Sequence, residues 1–280
     1  MAFLLPSALI LGIFVLYPIL QSLWMSLHAW RIGAKDQPWV GLANYRRLVA
    51  DPQFANAMRV TLVFTFASVI ALLVLGFLVA YWLQRTTRLS RILRSAYFFP
   101  TVVALSVIGI VWRFMLDPDI GLVAGLTQLV GLEPVAWLRD PHLALPTVIA
   151  VGIWKNLGFT MILLLAGLQG VPEHLYEAAR LDGARPWQLV RYVTLPSIRP
   201  SLLFAAVILT IQSLQSFDLI YAMTAGGPLF STETLVTFMY RQSFQTFDFG
   251  YGSAIAWALF LVIMIISALQ LRLFRYNDVD

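Results

Sequence analysis

The chain has 280 residues, of which 60% are hydrophobic and 12% charged; soluble domains carry about 25% charged residues, so this one is dissolved mainly in lipid. It has no cysteine, which excludes a disulfide framework, thiolate metal sites and a Cys nucleophile. Its formal charge of +5 rests on arginine, Lys35 and Lys155 being the two lysines, and cytoplasmic lipid headgroups account for it without a nucleic-acid partner.

In chain order, six segments are long and apolar enough to cross a bilayer, approximately residues 3–27, 61–83, 92–115, 145–168, 202–221 and 253–273. Backbone groups in hydrocarbon must bond internally, and the alternation of a barrel strand is missing. The pattern therefore predicts an all-α membrane protein with six transmembrane helices in a single domain, 1–280. The first run lacks a basic n-region and an A-x-A-like site, and reads as a retained span. Pro146, Pro172 and Pro200 fall near helix starts, while Pro18 and Pro100 are expected kinks.

The loops set the expected orientation. "QRTTRLSRILR" holds Arg85, Arg88, Arg91 and Arg94 with no acid, the loop after span four holds Arg180, Arg185, Arg191 and Arg199, and the tail adds Arg272 and Arg275. Placing these inside puts both termini in the cytoplasm. One stretch disagrees: Arg31, Lys35, Arg46, Arg47 and Arg59 then lie outside.

Residues 169–200 form a polar interruption between spans four and five. Pro172 suits a helix start and Glu173 the positive end of its dipole. "EHLYEAARLD" places Leu175, Ala178, Ala179 and Asp182 on one face, with Gly183 as the C-terminal cap. Pro186 opens a second short helix, "PWQLVRYVT", which Leu195-Pro196 ends. An amphipathic helix lying in the headgroups is the plainer alternative, with Trp187 and Tyr192 as anchors. The adjacent alanines, which let a backbone come close to something, argue against it.

This segment resembles the EAA loop of ABC-importer permeases: Glu177-Ala178-Ala179, three residues, Gly183, then Val193-Thr194-Leu195-Pro196, with Val193 where the family has Ile. The resemblance implies a type I ABC importer permease. Its coupling helix lies in the cytoplasm and docks on a separate ATP-hydrolysing subunit through Glu177, Ala178, Ala179, Asp182, Gly183, Leu195 and Pro196. "VGLANYRRLVADPQFANAMRVTLVFT", "SAYFFPTVVALSVIGIVWRFMLDPDIGLV" and "FDLIYAMTAGGPLFSTETLVTFMYRQSF" look like the carbohydrate-uptake branch, similar to maltose and glycerol-phosphate permeases. That implies a heterodimer with a homologous second permease, two ATP-binding subunits that hold ATP and Mg, and an extracytoplasmic sugar-binding protein, in a prokaryotic cell membrane. Glycerol 3-phosphate or another polyol is the alternative cargo.

Ionisable groups inside spans are functional hypotheses by default. Lys155 lies about 15 Å into span four at ~1.5 Å per residue. Asp218 lies near the outer end of span five, where Gln212, Gln215 and Ser216 share a face. With Asn156 these groups are candidates for a polar midplane cavity that bonds sugar hydroxyls, and Tyr221, Trp154 and Trp257 for stacking on a sugar ring. The structural alternative pairs Lys155 with Asp218 or a helix carbonyl, lets the glutamines cross-link helices, and makes the aromatics packing or interface residues. Arg113 reads as a headgroup or loop anchor. The outer loop around "AGGP" reads either as a contact for the binding protein or as a lid over helix ends.

No G-x-x-x-x-G-K-[ST] motif is present, so ATP binding through a P-loop is not expected of this chain. His28, His142 and His174 all fall outside the spans without H-E-x-x-H spacing, and no enzyme active site or metal site is read. "GYGS" reads as small-residue helix packing. An ion-coupled secondary transporter is the rival class, and it requires more buried carboxylate than Asp218 supplies.

Overall fold

The computed structural model describes residues 5–85 and 87–275; the termini, and with them the predicted start of span one at residue 3, lie outside the described residues. The helices in chain order are α1 Leu5–Leu11, α2 Tyr17–Ser26, α3 Ala43–Ala50, α4 Pro52–Leu83, α5 Arg88–Val102, α6 Leu105–Met115, α7 Leu122–Leu129 and α8 Pro141–Gln169. They continue as α9 Glu173–Leu181, α10 Pro186–Leu189, α11 Leu195–Ser197, α12 Arg199–Leu214, α13 Asp218–Thr224, α14 Leu235–Tyr240 and α15 Phe249–Arg275. Among the described residues extended pairing is limited to two isolated bridges, His28 with Trp39 and Arg31 with Asp248.

Four continuous spans, Leu9–Ser26, Pro52–Leu83, Pro141–Gln169 and Phe249–Leu273, are long and apolar enough to cross a membrane. Two bent pairs bring the number to six if each counts as one span: α5 with α6 at 96°, and Pro186–Ser197 with α12 at 68°. The bend in span three is not at Pro100, as expected, but at Val103–Ala104 just beyond it, and Pro100 sits inside α5. At Pro18 the chain forms a π-turn over Gly12–Leu16, which widens the helix where the proline ring would press on the preceding turn. The predicted span five is also interrupted, at residues 215–217.

Two compact units divide the chain. The first comprises Met1–Thr61 and Glu233–Val262, and polar side chains hold it together. Arg47 pairs with buried Asp248 at 2.8 Å, and Arg31 reaches the same carboxylate at 3.4 Å. Tyr251 donates its hydroxyl to Asp51 at 2.7 Å, with the Arg47 guanidinium 3.8 Å above its ring. Arg241 forks onto Glu233 at 2.8 and 3.0 Å. Arg31 and Arg47, which count against the expected orientation as bare charges, are thus ion-paired. Gly250 packs directly on the backbone of His28 and Trp30, and Gly252 on Ser243, so the "GYGS" glycines are packing residues.

The second unit comprises Leu62–Thr232 and Ile263–Asp280. Its part of α4 reads inside out by the standard of a water-soluble helix: Phe66, Ile70, Val74, Leu78 and Trp82 are exposed, whereas Thr65 and Ser68 are buried. An apolar outer stripe at helical spacing is what lipid requires. Glycines allow the close crossings, α8 against α5 at Gly158 and α6 against α13 at Gly109. One apolar cluster joins Phe64, Ile108, Val148, Val151, Leu219 and Ile220; another joins Ala80, Leu83, Met161, Leu164, Leu168 and Ile198. Arg94 donates to the carbonyls of Leu83 and Gln84, a cation placed on the negative end of α4.

The turn after α6 is built on Asp117. Its Oδ1 accepts the backbone N–H groups of Asp119 and Ile120 at 2.9 and 3.3 Å, and Arg139 bonds both aspartates. The N–H of Asp119 foremost, then Ile120 and Arg139, hold the Asp117 carboxyl below its ordinary 3.8 against an opposing desolvation. A carboxylate with a lowered folded-state pKa stabilises above its unfolded value and loses that contribution as pH falls through the folded one. The protection factors of the Asp119 and Ile120 amides, each exchange rate taken relative to the intrinsic rate at the same pH, are therefore expected to be equal at pH 5 and 7 and to fall below about pH 4. Constant protection down to pH 2 would count against it.

Candidate functional site

The loop from α9 to α11 belongs to the second unit and is largely exposed. No residue of α9 is buried; Glu177, Ala178 and Asp182 are exposed and Ala179 is half-buried. Leu181 is 89% exposed, a large apolar side chain offered at the helix end. Glu173 opens α9 and Arg180 closes it, each sign matching its end of the dipole. Asp182 is the C-cap and Gly183 follows at φ +80°. The Gly183 N–H donates to Arg180 O and the Ala184 N–H to Ala179 O, both at 3.0 Å. That pair of bonds defines a Schellman ending, which needs the left-handed conformation that glycine adopts without strain.

The second half of the loop corrects the sequence reading. Leu195-Pro196 does not end the helix begun at Pro186: α10 passes through a π-turn, Val190–Thr194, into α11, and the break falls at Ile198. The π-turn precedes Pro196 for the same steric reason as at Pro18. Tyr176 of α9 meets Thr194, which is fully buried, at 3.1 Å. Ile198 is 1% exposed and lies in the apolar cluster with the C-terminal parts of α4 and α8. It is the anchor that sequence reasoning missed; an isolated apolar residue between Ser197 and Arg199 is its signal.

Farther along the same helices lies a cavity of about 400 Å³. Lys155 and Asn156 of α8, Gln212 of α12, Gln215 in the break and Asp218 at the start of α13 all line it. The break itself contributes. α12 closes with Gln215 N–H on Ile211 O, and helix resumes with Tyr221 N–H on Phe217 O, leaving irregular backbone where it faces a cavity. Lys155 is 9% exposed and makes no ion pair within 4.0 Å among the described residues, with Asp218 or any other acid. Its backbone carbonyl accepts the Thr101 hydroxyl at 3.2 Å. Asn156 donates to Gly152 O in its own helix at 3.0 Å, leaving its second N–H and its carbonyl for the cavity.

Two expected lining residues lie elsewhere. Tyr221 stacks on Phe217 with ring centroids 5.0 Å apart and is not in the cavity wall. Trp257 belongs to the first unit, where its indole N–H donates to Ser22 at 3.2 Å. Trp154 faces Trp112 edge-on at 5.6 Å. The aromatic rings that do line the cavity include Phe159 and Phe64; Phe159 is four residues after Lys155, hence on the same helix face. Ser68 lines it too, and its buried hydroxyl has no partner among the described residues. Beyond α13 the "AGGP" segment is a tight turn: Thr224 meets Thr232 at 2.8 Å and Thr232 donates to Gly227 O at 2.7 Å.

A family model described as "Binding-protein-dependent transport system inner membrane component" matches residues 72–278. The chain is 32% identical to the trehalose/maltose transport system permease protein MalF of Thermococcus litoralis, over 98% of this chain and 92% of that one. It is 35% identical to the diacetylchitobiose uptake system permease protein NgcF of Streptomyces coelicolor, over 96% and 80%. Its fold matches a chain from the crystal structure of a bacterial ABC transporter involved in the import of the acidic polysaccharide alginate, with a TM-score of 0.87 at 24% identity, covering 99% of this chain and 94% of that one.

Proposed function

We propose a function on a plain premise: the chain belongs to the family of binding-protein-dependent transport system inner membrane components. It is the permease subunit of an ATP-driven importer that moves a di- or oligosaccharide delivered by an extracytoplasmic sugar-binding protein. The relatives named for trehalose/maltose and diacetylchitobiose support the substrate class. In this reading a homologous second permease completes the channel, and two ATP-binding subunits bind ATP with its magnesium ion and hydrolyse it. Residues 1–280 act as one permease domain, in a prokaryotic cell membrane, with both termini and the 169–200 loop cytoplasmic.

The observation that carries the mechanism is the exposed α9 loop tied to buried anchors. An ATPase subunit that grips Glu177, Ala178, Ala179 and Asp182 pulls on α9, and the Tyr176–Thr194 contact passes the displacement to the π-turn. Ile198 passes it to α12, and also to α8 through Met161, Leu164 and Leu168. Those two helices carry Gln212 and Lys155, so a single pull at the loop moves two of the helices that line the cavity. The cavity amides and hydroxyls bond sugar hydroxyls in place of water.

Gly183 offers a clean test, because a Cβ there meets nothing within 4 Å and the backbone conformation alone is at stake. Valine at φ +80° costs about 1–2 kcal/mol, whereas asparagine tolerates it. In proteoliposomes containing the whole importer, Gly183→Val should lower saccharide uptake about tenfold and Gly183→Asn should leave most of it. Equal uptake by both variants would remove the loop from the coupling path. Uptake that survives ATP depletion and stops when ion gradients are dissipated would overturn the importer reading itself.

A further inference from the structure

We infer that the cavity selects a saccharide carrying one negative charge, a carboxylate of the uronic-acid kind, and that Lys155 is the residue that selects it. The inference rests on the saccharide reading above and narrows it to a charge class.

Among the described residues, Lys155 is the single cationic side chain in the cavity wall, and Asp218 the single acidic one. A partly desolvated ammonium is costly in a membrane unless something answers it. Among the described residues no carboxylate does, none lying within 4.0 Å; the Thr101 hydroxyl donates its proton to the Lys155 carbonyl oxygen and brings no countercharge. Apart from Asp218, the other polar side chains of the wall are neutral. Ser68 presents a hydroxyl with no partner among the described residues, Asn156 retains its second N–H and its side-chain carbonyl after Gly152 takes one N–H, and Gln212 and Gln215 line the same space. A site for a wholly neutral sugar needs acceptors and donors but no net cation. Here a cation is held at the wall with no carboxylate in contact with it among the described residues, so an acidic group on the solute has a place beside it.

Asp218 sets the other limit. An anionic carboxylate accepts hydroxyl protons and repels a second anion, so one end of the solute must be neutral and rich in hydroxyls while the other is acidic. A phosphate ester, with nearly two charges, meets one cation and one anion and fits less well. The pair therefore fixes orientation as well as charge: acidic sugar unit toward Lys155, neutral unit toward Asp218.

The test uses the purified complex of permeases and ATPases without its binding protein, so that selection by that protein does not intervene. Equilibrium binding is measured for a glucuronosyl-glucose disaccharide and for the same disaccharide with both units neutral. The acidic disaccharide should bind at least tenfold tighter at low salt, with the ratio falling as salt rises. Lys155→Gln should bring the ratio to about one, and Lys155→Arg should keep it above one. Complex assembly and thermal unfolding of both variants verify that they fold. Equal binding of the two disaccharides by the native complex, or a preference that survives Lys155→Gln, would overturn the charge assignment and leave the saccharide reading standing. Binding of neither disaccharide would overturn both.

Discussion

Alanine at Gly158 is expected to destabilise the protein by about 2 kcal/mol. Gly158 is buried in α8 where that helix crosses α5, and a Cβ added there falls on the Tyr97 carbonyl and within 2.7 Å of Phe98 Cα. Those are backbone atoms, so no side-chain rotation relieves the overlap, and the two helices must separate. Overpacking of this kind costs about 1–3 kcal/mol, and the upper end applies where backbone meets backbone. The better helix propensity of alanine returns about 1 kcal/mol, which does not cancel the loss. Leucine at the same position should prevent the folded chain from accumulating. Separation at this crossing also lengthens the Thr101–Lys155 bond one turn away, so uptake should fall together with stability. Gly125→Ala is the control: that glycine lies in α7 with nothing within 4 Å of a new Cβ, and the substitution should cost nothing. Thermal unfolding in detergent reads all three. An unchanged midpoint for Gly158→Ala would mean that the helices do not approach as closely as described.

Leucine at Arg241 should have a still larger effect, about 3–5 kcal/mol, because it strands a buried charge. The Glu233 side chain is 4% exposed and the Arg241 side chain 22%, and the guanidinium reaches both carboxylate oxygens as a planar fork. A third donation goes to Gln53 Oε1 at 2.9 Å. Removing the arginine leaves the carboxylate desolvated without its countercharge, whereas removing both partners leaves no charge to solvate. Arg241→Leu combined with Glu233→Leu should therefore recover most of the stability lost in Arg241→Leu alone. Lysine at 241 should recover only part, since it supplies charge without the fork. A double-mutant cycle measured by unfolding decides it, and additive single effects would mean that the pair is not coupled.

How much of this was legible beforehand differs from one element to the next. The α9 loop was readable because its determinants are local. Glu173, the paired alanines and Gly183 are specified within about ten residues of chain, and a capped helix follows from them by short-range sterics and hydrogen bonding. Membrane spans were readable for a similar reason, since lipid imposes one requirement on about twenty consecutive residues. Local rules did mislead at the bends. Pro100 marks the neighbourhood of the turn in span three, but where the helix yields depends on what packs beside it, and the interruption at 215–217 was invisible in a run that is apolar on both sides.

By itself, then, the sequence determined the helical class, the spans, the exposed α9 loop and the family, all of which follow from periodicity, length and short spacings. Tertiary structure decided which polar groups share the cavity, admitting Lys155, Asn156, Gln212, Gln215 and Asp218 and excluding Tyr221 and Trp257. It also decided that Ile198 rather than Leu195-Pro196 anchors the loop, and that Arg47 meets Asp248 across 201 positions and Tyr251 meets Asp51 across 200. The physical reason is the same throughout. A helix forms from neighbours in sequence, but a side chain acquires its partner only after loops have closed and helices have chosen which faces to bury, and nothing in the spacing of residues records that choice.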